Sequence, residues 1–170
     1  MFLYKVETRD SEIAGHGAYA MEPIAIGAIV GLLNHHNLIM TETEYQDAQR
    51  RGEELIIQSA VRLVGDYFVY NSKITDEEYI NHSETPNMLY HCGILFAKQP
   101  IAVGDELTVD YKYFLATNDV HAFDDRDTGK QVTGLSAKQA LIESCREVMA
   151  LFSQADFDAP RYSDYRPKGD

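Results

Sequence analysis

The chain has 170 residues, 45% of them hydrophobic, and a formal net charge of −12 from 27 acidic against 15 basic side chains. That length supports one core with a short appendage, and no apolar run nears the ~20 residues of a membrane-spanning helix. The acidic excess argues against naked nucleic acid and favours cationic partners, although solubility alone accounts for the same charge. Cys92 and Cys145 form no Cys-x-x-Cys pair, which excludes a disulfide framework and a cysteine-built zinc cluster. The start lacks the basic-then-apolar pattern of a secretory leader, so an intracellular setting is favoured, with no compartment address in the sequence.

Residues 2–8 alternate loosely, as an edge strand does, and Ala18-Tyr19-Ala20 follows a glycine turn as a second short strand. Ala28 to Leu33 is short, apolar and bounded by turn residues, the pattern of a buried strand. Thr41 to Arg51 is the first helix expected, with Thr41 as cap, Glu44 three residues on and Gly52 as stop. A hairpin is expected between Leu55 and Tyr70, turning at Gly65-Asp66. A short helical turn at Thr75–Glu78 precedes a strand from Leu89 to Ala97 and a last one from Leu107 to Tyr111.

Residues 116–134 are polar and read as a connector. Ser136 and Gln139 then form a capping box with Leu135 as staple. Leu141, Ile142, Cys145, Val148, Met149 and Phe152 mark the expected apolar face of a C-terminal helix, which a polar tail follows. Three segments result: 1–115 as the domain, 116–134 as connector, and 135–170 as helix and tail. The class is mainly β (β-rich α+β), many short strands with few helices.

Four segments carry the chemistry: Gly15-His16-Gly17-Ala18-Tyr19, Asn81-His82-Ser83, Pro86-Asn87 and Gly104-Asp105-Glu106-Leu107-Thr108-Val109-Asp110-Tyr111. Each alone is weak. Glycines let backbone amides approach a ligand closely, and an Asn amide donates and accepts at once. In this order and spacing they resemble the SET-domain family, over roughly residues 5–115. The resemblance implies a protein lysine methyltransferase using S-adenosyl-L-methionine (AdoMet) and releasing S-adenosyl-L-homocysteine, with no metal. It also implies small sheets tied by a C-terminal pseudoknot that joins Asn81 to Tyr111. Gly15, His16, Gly17, Tyr19, Asn81 and His82 would hold the donor, and Tyr111 would align the transfer and touch the donor too.

The chain departs from the commonest motif at Tyr79 and Glu84, where family members typically carry an arginine-like residue and a cysteine. Val109 stands where an aromatic limits methylation number in some members. The sequence resembles the compact kinds found in bacteria and viruses, without cysteine-zinc segments. Tyr67, Tyr70, Tyr90 and Tyr113 are candidates for a lysine channel, with ordinary sheet packing as the alternative for each. The expected partner is a basic, lysine-containing protein such as a histone, with neither nucleic acid nor membrane. An inactive module binding AdoMet or a basic tail, or a methyltransferase of small amines, remains open.

His35, His36 and the other histidines show no i, i+4 spacing with a carboxylate companion, so no metal site is expected. Asp105-Glu106 and Asp124-Asp125 read as turn and surface residues.

Overall fold

The computed structural model describes residues 1–33, 38–117, 119 and 124–154. His35, His36, His121 and the polar tail from 156 lie outside the described residues.

Ten short strands and three helices are described. β1 (Val6–Asp10) and β2 (His16–Ala20) form an antiparallel hairpin around the glycine turn. β3 (Ile29–Leu32) pairs with β9 (Ile94–Ala97), which also pairs with β8 (Met88–His91). β4 (Leu38–Thr41), β5 (Val61–Val64) and β6 (Tyr67–Tyr70) make a second three-stranded sheet with β6 at its centre. Two-residue strands β7 (Asn81–His82) and β10 (Thr108–Val109) pair in parallel, in the register Thr108 to Asn81 and Val109 to His82. This pairing is the juxtaposition of Asn81 with the segment leading into Tyr111 that a SET-type fold requires.

Helix α1 (Glu42–Arg51) forms where its signals lie. Thr41 and Glu44 make a reciprocal capping box, and Gly52 takes the left-handed conformation (φ 70°) that ends the helix. Helix α2 (Glu54–Ser59) occupies the first part of the expected hairpin, so the hairpin itself is β5–β6 alone. The expected strand from Leu89 to Ala97 is instead a hairpin: Cys92 (φ 49°) and Gly93 (φ 83°) make a two-residue turn between β8 and β9. Both central residues have positive φ, as a type I′ turn demands. Cysteine in that position gives no sequence signal.

Helix α3 (Ala137–Gln154) starts at the Ser136–Gln139 capping box, as read. Its buried face is Ala140, Ser144 and Leu151, with Val148 and Phe152 packed against the core, whereas Leu141, Ile142 and Met149 are exposed. The helix is rotated from the expected face because Ser144 turns inward, donating to Ala140 O (2.7 Å) and lying 2.9 Å from His91 Nδ1. Satisfied in this way, a hydroxyl can be buried at little cost.

The main core joins β2, β3, β8, β9, β10 and α3 around Ala18, Val30, Met88, Leu95 and Val109. A smaller cluster of Met40, Tyr45, Phe68 and Ala116 sits under α1. Several side chains of the polar 116–134 stretch are buried: Ala116, Asp119, Asp125 and Val132. Asp119 accepts from Tyr45 Oη (3.0 Å) and Gln49 Nε2 (2.7 Å), which ties the stretch to α1.

Candidate active site

The glycine turn is held from both ends. Ser11 N–H donates to Gly15 O (2.9 Å), and Gly15 takes φ 47°, a conformation only glycine enters cheaply. A Cβ at Gly15 would meet nothing within 4 Å, so this rim is open. A Cβ at Gly17 would collide with the Glu106 carboxylate.

Glu106 is half-buried and held in a network. Its Oε1 accepts from Ser11 Oγ (2.7 Å) and Asn81 Nδ2 (2.7 Å), and its Oε2 from Tyr19 Oη (3.0 Å). Asn81 Nδ2 also lies within reach of His16 O (3.0 Å), Ser11 Oγ (3.1 Å) and Ala14 O (3.3 Å). One amide thus stitches the turn at 11–16 to the carboxylate that β10's approach brings in. Arg9 stacks on the Tyr19 ring at 3.9 Å, while burial and then Glu106 push the Tyr19 phenol upward. His16 is exposed, with Nε2 3.6 Å from Asp10 and its ring 5.9 Å from that of Tyr79. Sequence reasoning missed Ser11, and it read Glu106, inside the last motif segment, as a turn and surface residue. They meet across 95 positions, a separation with no local signature.

Pro86-Asn87 leads into β8, and Asn87 braces the same region: its Nδ2 donates to Glu106 O (2.7 Å) and its Oδ1 accepts from Thr108 N–H (2.9 Å).

Tyr111 opens a short 3-10 turn, Tyr111–Tyr113, capped by Asp110, which accepts from Lys112 N–H (3.1 Å). The first amides of a helical turn lack partners within it, and that of Tyr111 donates to His82 Nδ1 at 3.0 Å. The Tyr111 hydroxyl donates to Ile80 O at 2.5 Å. Burial first, and then the Glu106 charge, push this phenol well above its ordinary range.

Tyr111 also lines a cavity of about 100 Å³, with Ile80, Phe114, Tyr45, Asn71 and Glu77 among its walls. Among the described lining residues the tyrosines are Tyr45 and Tyr111. The four channel candidates are placed otherwise. Tyr90 is buried, donates to Arg62 O and meets Phe114 edge-on (4.6 Å), and Phe114 stacks on Tyr111 (5.3 Å). Tyr113 donates to Glu147 of α3 and lines a small void of about 20 Å³ with Tyr90 beneath that helix. Tyr70 packs on the cluster under α1. Tyr67 is 53% exposed and borders a separate open groove with Thr41, Glu42 and Asp66.

The SET-domain family model matches residues 15–112, more than half of the chain and all four motif segments. The chain belongs to the SET-domain family. No curated protein matches it closely enough to count as a relative. Membership makes methyl transfer the class of activity, and SET domains generally use AdoMet.

The residues of this SET domain suit that donor. The open Gly15 rim admits a close approach, and the carbonyls of Ala14 and His16 with the Glu106 carboxylate make it rich in acceptors, as an ammonium head group needs. Among the described residues no group of three His, Cys, Asp or Glu side chains is placed to hold a metal ion. Nor is any described helix long and apolar enough to cross a membrane.

Proposed function

We propose that this SET domain transfers a methyl group from AdoMet to the side-chain amine of a lysine in a basic protein such as a histone. The observation that carries the reading is the position of Tyr111. Its backbone is tied to His82 beside the Asn81–Glu106–Gly17 cluster, and its ring borders the cavity. In this reading, Gly15, His16, Gly17, Tyr19, Asn81 and His82 hold the donor.

When bound, AdoMet supplies a methyl carbon already activated by its sulfonium leaving group. The protein's task is then positioning more than acid–base chemistry. Tyr111 and Ile80 both line the cavity, and the Tyr111 hydroxyl donates to the Ile80 carbonyl. Such oxygens orient a methyl group through weak C–H···O contacts.

The target amine has to be neutral to attack. Free lysine has a pKa of about 10.4, so the neutral form at pH 7.4 costs about 4 kcal/mol. Ile80, Phe114 and Tyr111 give the cavity an apolar wall that desolvates an ammonium and lowers that cost. Glu77 on the same wall is paired with the Met1 ammonium (2.7 Å), so the charge that favours a cationic side chain on approach is that of Glu78, within a chain of net charge −12.

The test is the chemical identity of the product. Core histones incubated with the protein and labelled AdoMet are hydrolysed to amino acids. Label in methyl-lysine is expected. Label only in a low-molecular-weight amine, or AdoMet binding with no product at all, would contradict the lysine assignment.

A further inference from the structure

Beyond the four motif segments, residues 124–131 fold into a tight turn that docks on the loop after β7. Asp124 bridges to Gln131, Asp125 N–H donates to Lys130 O (2.7 Å), and Gly129 N–H donates back to Asp125 O (2.8 Å). Two side-chain contacts join this turn to β7 and the loop after it. Lys130 Nζ lies 3.2 Å from Glu84 Oε2, and Asp125 Oδ2 lies 3.4 Å from His82 Nε2. Glu84 is the position where the family's common motif has a cysteine. Here that place is linked to the downstream turn by an ion pair.

The Asp125 contact is the more consequential. Both side chains are 4% exposed, so water does little to screen the pair. The carboxylate is not free to swing, because its Oδ1 accepts from Thr128 N–H (2.8 Å) and Thr128 Oγ (2.7 Å). Oδ2 is the oxygen left nearest the imidazole, close to Nε2 but longer than a good hydrogen bond. On the far side of that ring, Nδ1 accepts the Tyr111 amide, so Nδ1 carries the lone pair and the ring proton of neutral His82 belongs on Nε2, facing Asp125.

We propose that Asp125 is a positioning residue for the methyl-transfer site: it holds His82 as the Nε2–H tautomer and thereby fixes the backbone of Tyr111. Carboxylates that orient an imidazole act in this way in catalytic triads and behind metal-bound histidines. Here the ring's far nitrogen holds a backbone amide rather than a nucleophile or metal. The amide belongs to the residue whose hydroxyl meets Ile80 O, both residues lining the cavity. The effect on turnover rests on the proposed methyltransferase reading, whereas the tautomer does not.

Asp125→Asn separates this role from simple packing. The amide oxygen keeps the Thr128 contacts, and the amide nitrogen then faces Nε2–H, donor against donor. The imidazole relieves this by moving its proton to Nδ1, which costs the bond from Tyr111 N–H.

The experiment labels histidine with ¹⁵N and reads the two-bond ¹H–¹⁵N spectrum, with His82 assigned from a His82→Gln spectrum. In the wild type we expect protonated Nε2 and unprotonated Nδ1 at His82. In Asp125→Asn we expect that pattern lost, AdoMet affinity changed by less than about threefold, and kcat lowered at least about tenfold, about 10–100-fold being the range for groups that orient metal-bound histidines. A wild-type His82 protonated on Nδ1 overturns the proposal, even if the variant fails to fold. So does a folded Asp125→Asn with the wild-type tautomer or unchanged kcat. A wild type that transfers no methyl but shows the tautomer switching in the variant supports the role of Asp125 and overturns the methyltransferase reading instead.

Discussion

Asn81 and Glu106 meet through a 2.7 Å hydrogen bond from amide to carboxylate, and that bond is where the parallel pairing of β7 with β10 becomes a site. Asn81 reaches from it to the carbonyls of the glycine turn, and Glu106 reaches to Ser11 and Tyr19. Removing the amide therefore both loosens the turn and frees the Glu106 carboxylate beside the proposed AdoMet rim. Asn81→Ala is expected to weaken AdoMet binding about 10–100-fold, the loss of a hydrogen bond to a charged group being about 1.5–3 kcal/mol. Isothermal titration gives the answer, and an unchanged Kd would remove Asn81 from the donor site.

The two glycines of the turn should respond differently to alanine. At Gly15 the added methyl meets open space, and the cost is the left-handed backbone, about 1–2 kcal/mol. At Gly17 it strikes a carboxylate pinned by Ser11, Tyr19 and Asn81, so the whole network has to move. Gly17→Ala should lose AdoMet binding, whereas Gly15→Ala should lower Tm with a smaller effect on Kd. Equal effects on binding would mean that the network does not shape the site.

Much of the fold was legible wherever the controlling signal is local. Thr41, Glu44 and Gly52 announce α1, and Ser136 with Gln139 announces the start of α3. The β8–β9 turn was hidden because Cys92 occupies a positive-φ position that sequence reading reserves for Gly, Asn or Asp. α2 was hidden because Leu55-Ile56-Ile57 carries strand-like residues and Glu53 makes no side-chain cap. In the site, the motif residues came from order and spacing. Ser11 and Asp125 did not, and Glu106, though inside the last motif segment, read as a surface residue, since their partners lie 95, 70, 25 or 43 positions away in the chain. The polarity of residues 124–131 suggested surface, yet a carboxylate with Thr128 and His82 as partners is stable when buried.

The rotation of α3 gives a direct stability test. Leu151 is 8% exposed and faces the core, while Met149 is 72% exposed. Leu151→Ala should cost about 2–5 kcal/mol, and Met149→Ala should stay within about 0.5 kcal/mol. Urea unfolding of the two variants decides it. The reverse order would restore the face read from periodicity.

Alkaline pH should unfold the protein through its tyrosines. Burial pushes the phenols of Tyr45, Tyr90, Tyr111 and Tyr113 above their ordinary value. Their folded pKa values exceed the unfolded value of about 10, so the folded state holds these protons more tightly. The stabilisation is complete below pH ~10 and is lost as pH rises beyond it, when the unfolded chain releases protons first. The urea midpoint should fall above that pH, with the absorbance of these four tyrosinates appearing in step with unfolding. Full ionisation of all eleven tyrosines near pH 10 in a still-folded protein would contradict these burials.

The central claim is that Tyr111 aligns methyl transfer to lysine, and the most direct test compares wild type with Tyr111→Phe. Labelled AdoMet is offered with core histones and with a total basic-protein extract, and AdoMet affinity is titrated in parallel. Phenylalanine keeps the ring on Phe114 and removes the hydroxyl that meets Ile80 O. The account expects label on a protein band with wild type, a loss of at least about tenfold in Tyr111→Phe, and nearly equal AdoMet affinity for both. Equal labelling by the two proteins, or none by either while AdoMet still binds, would contradict it.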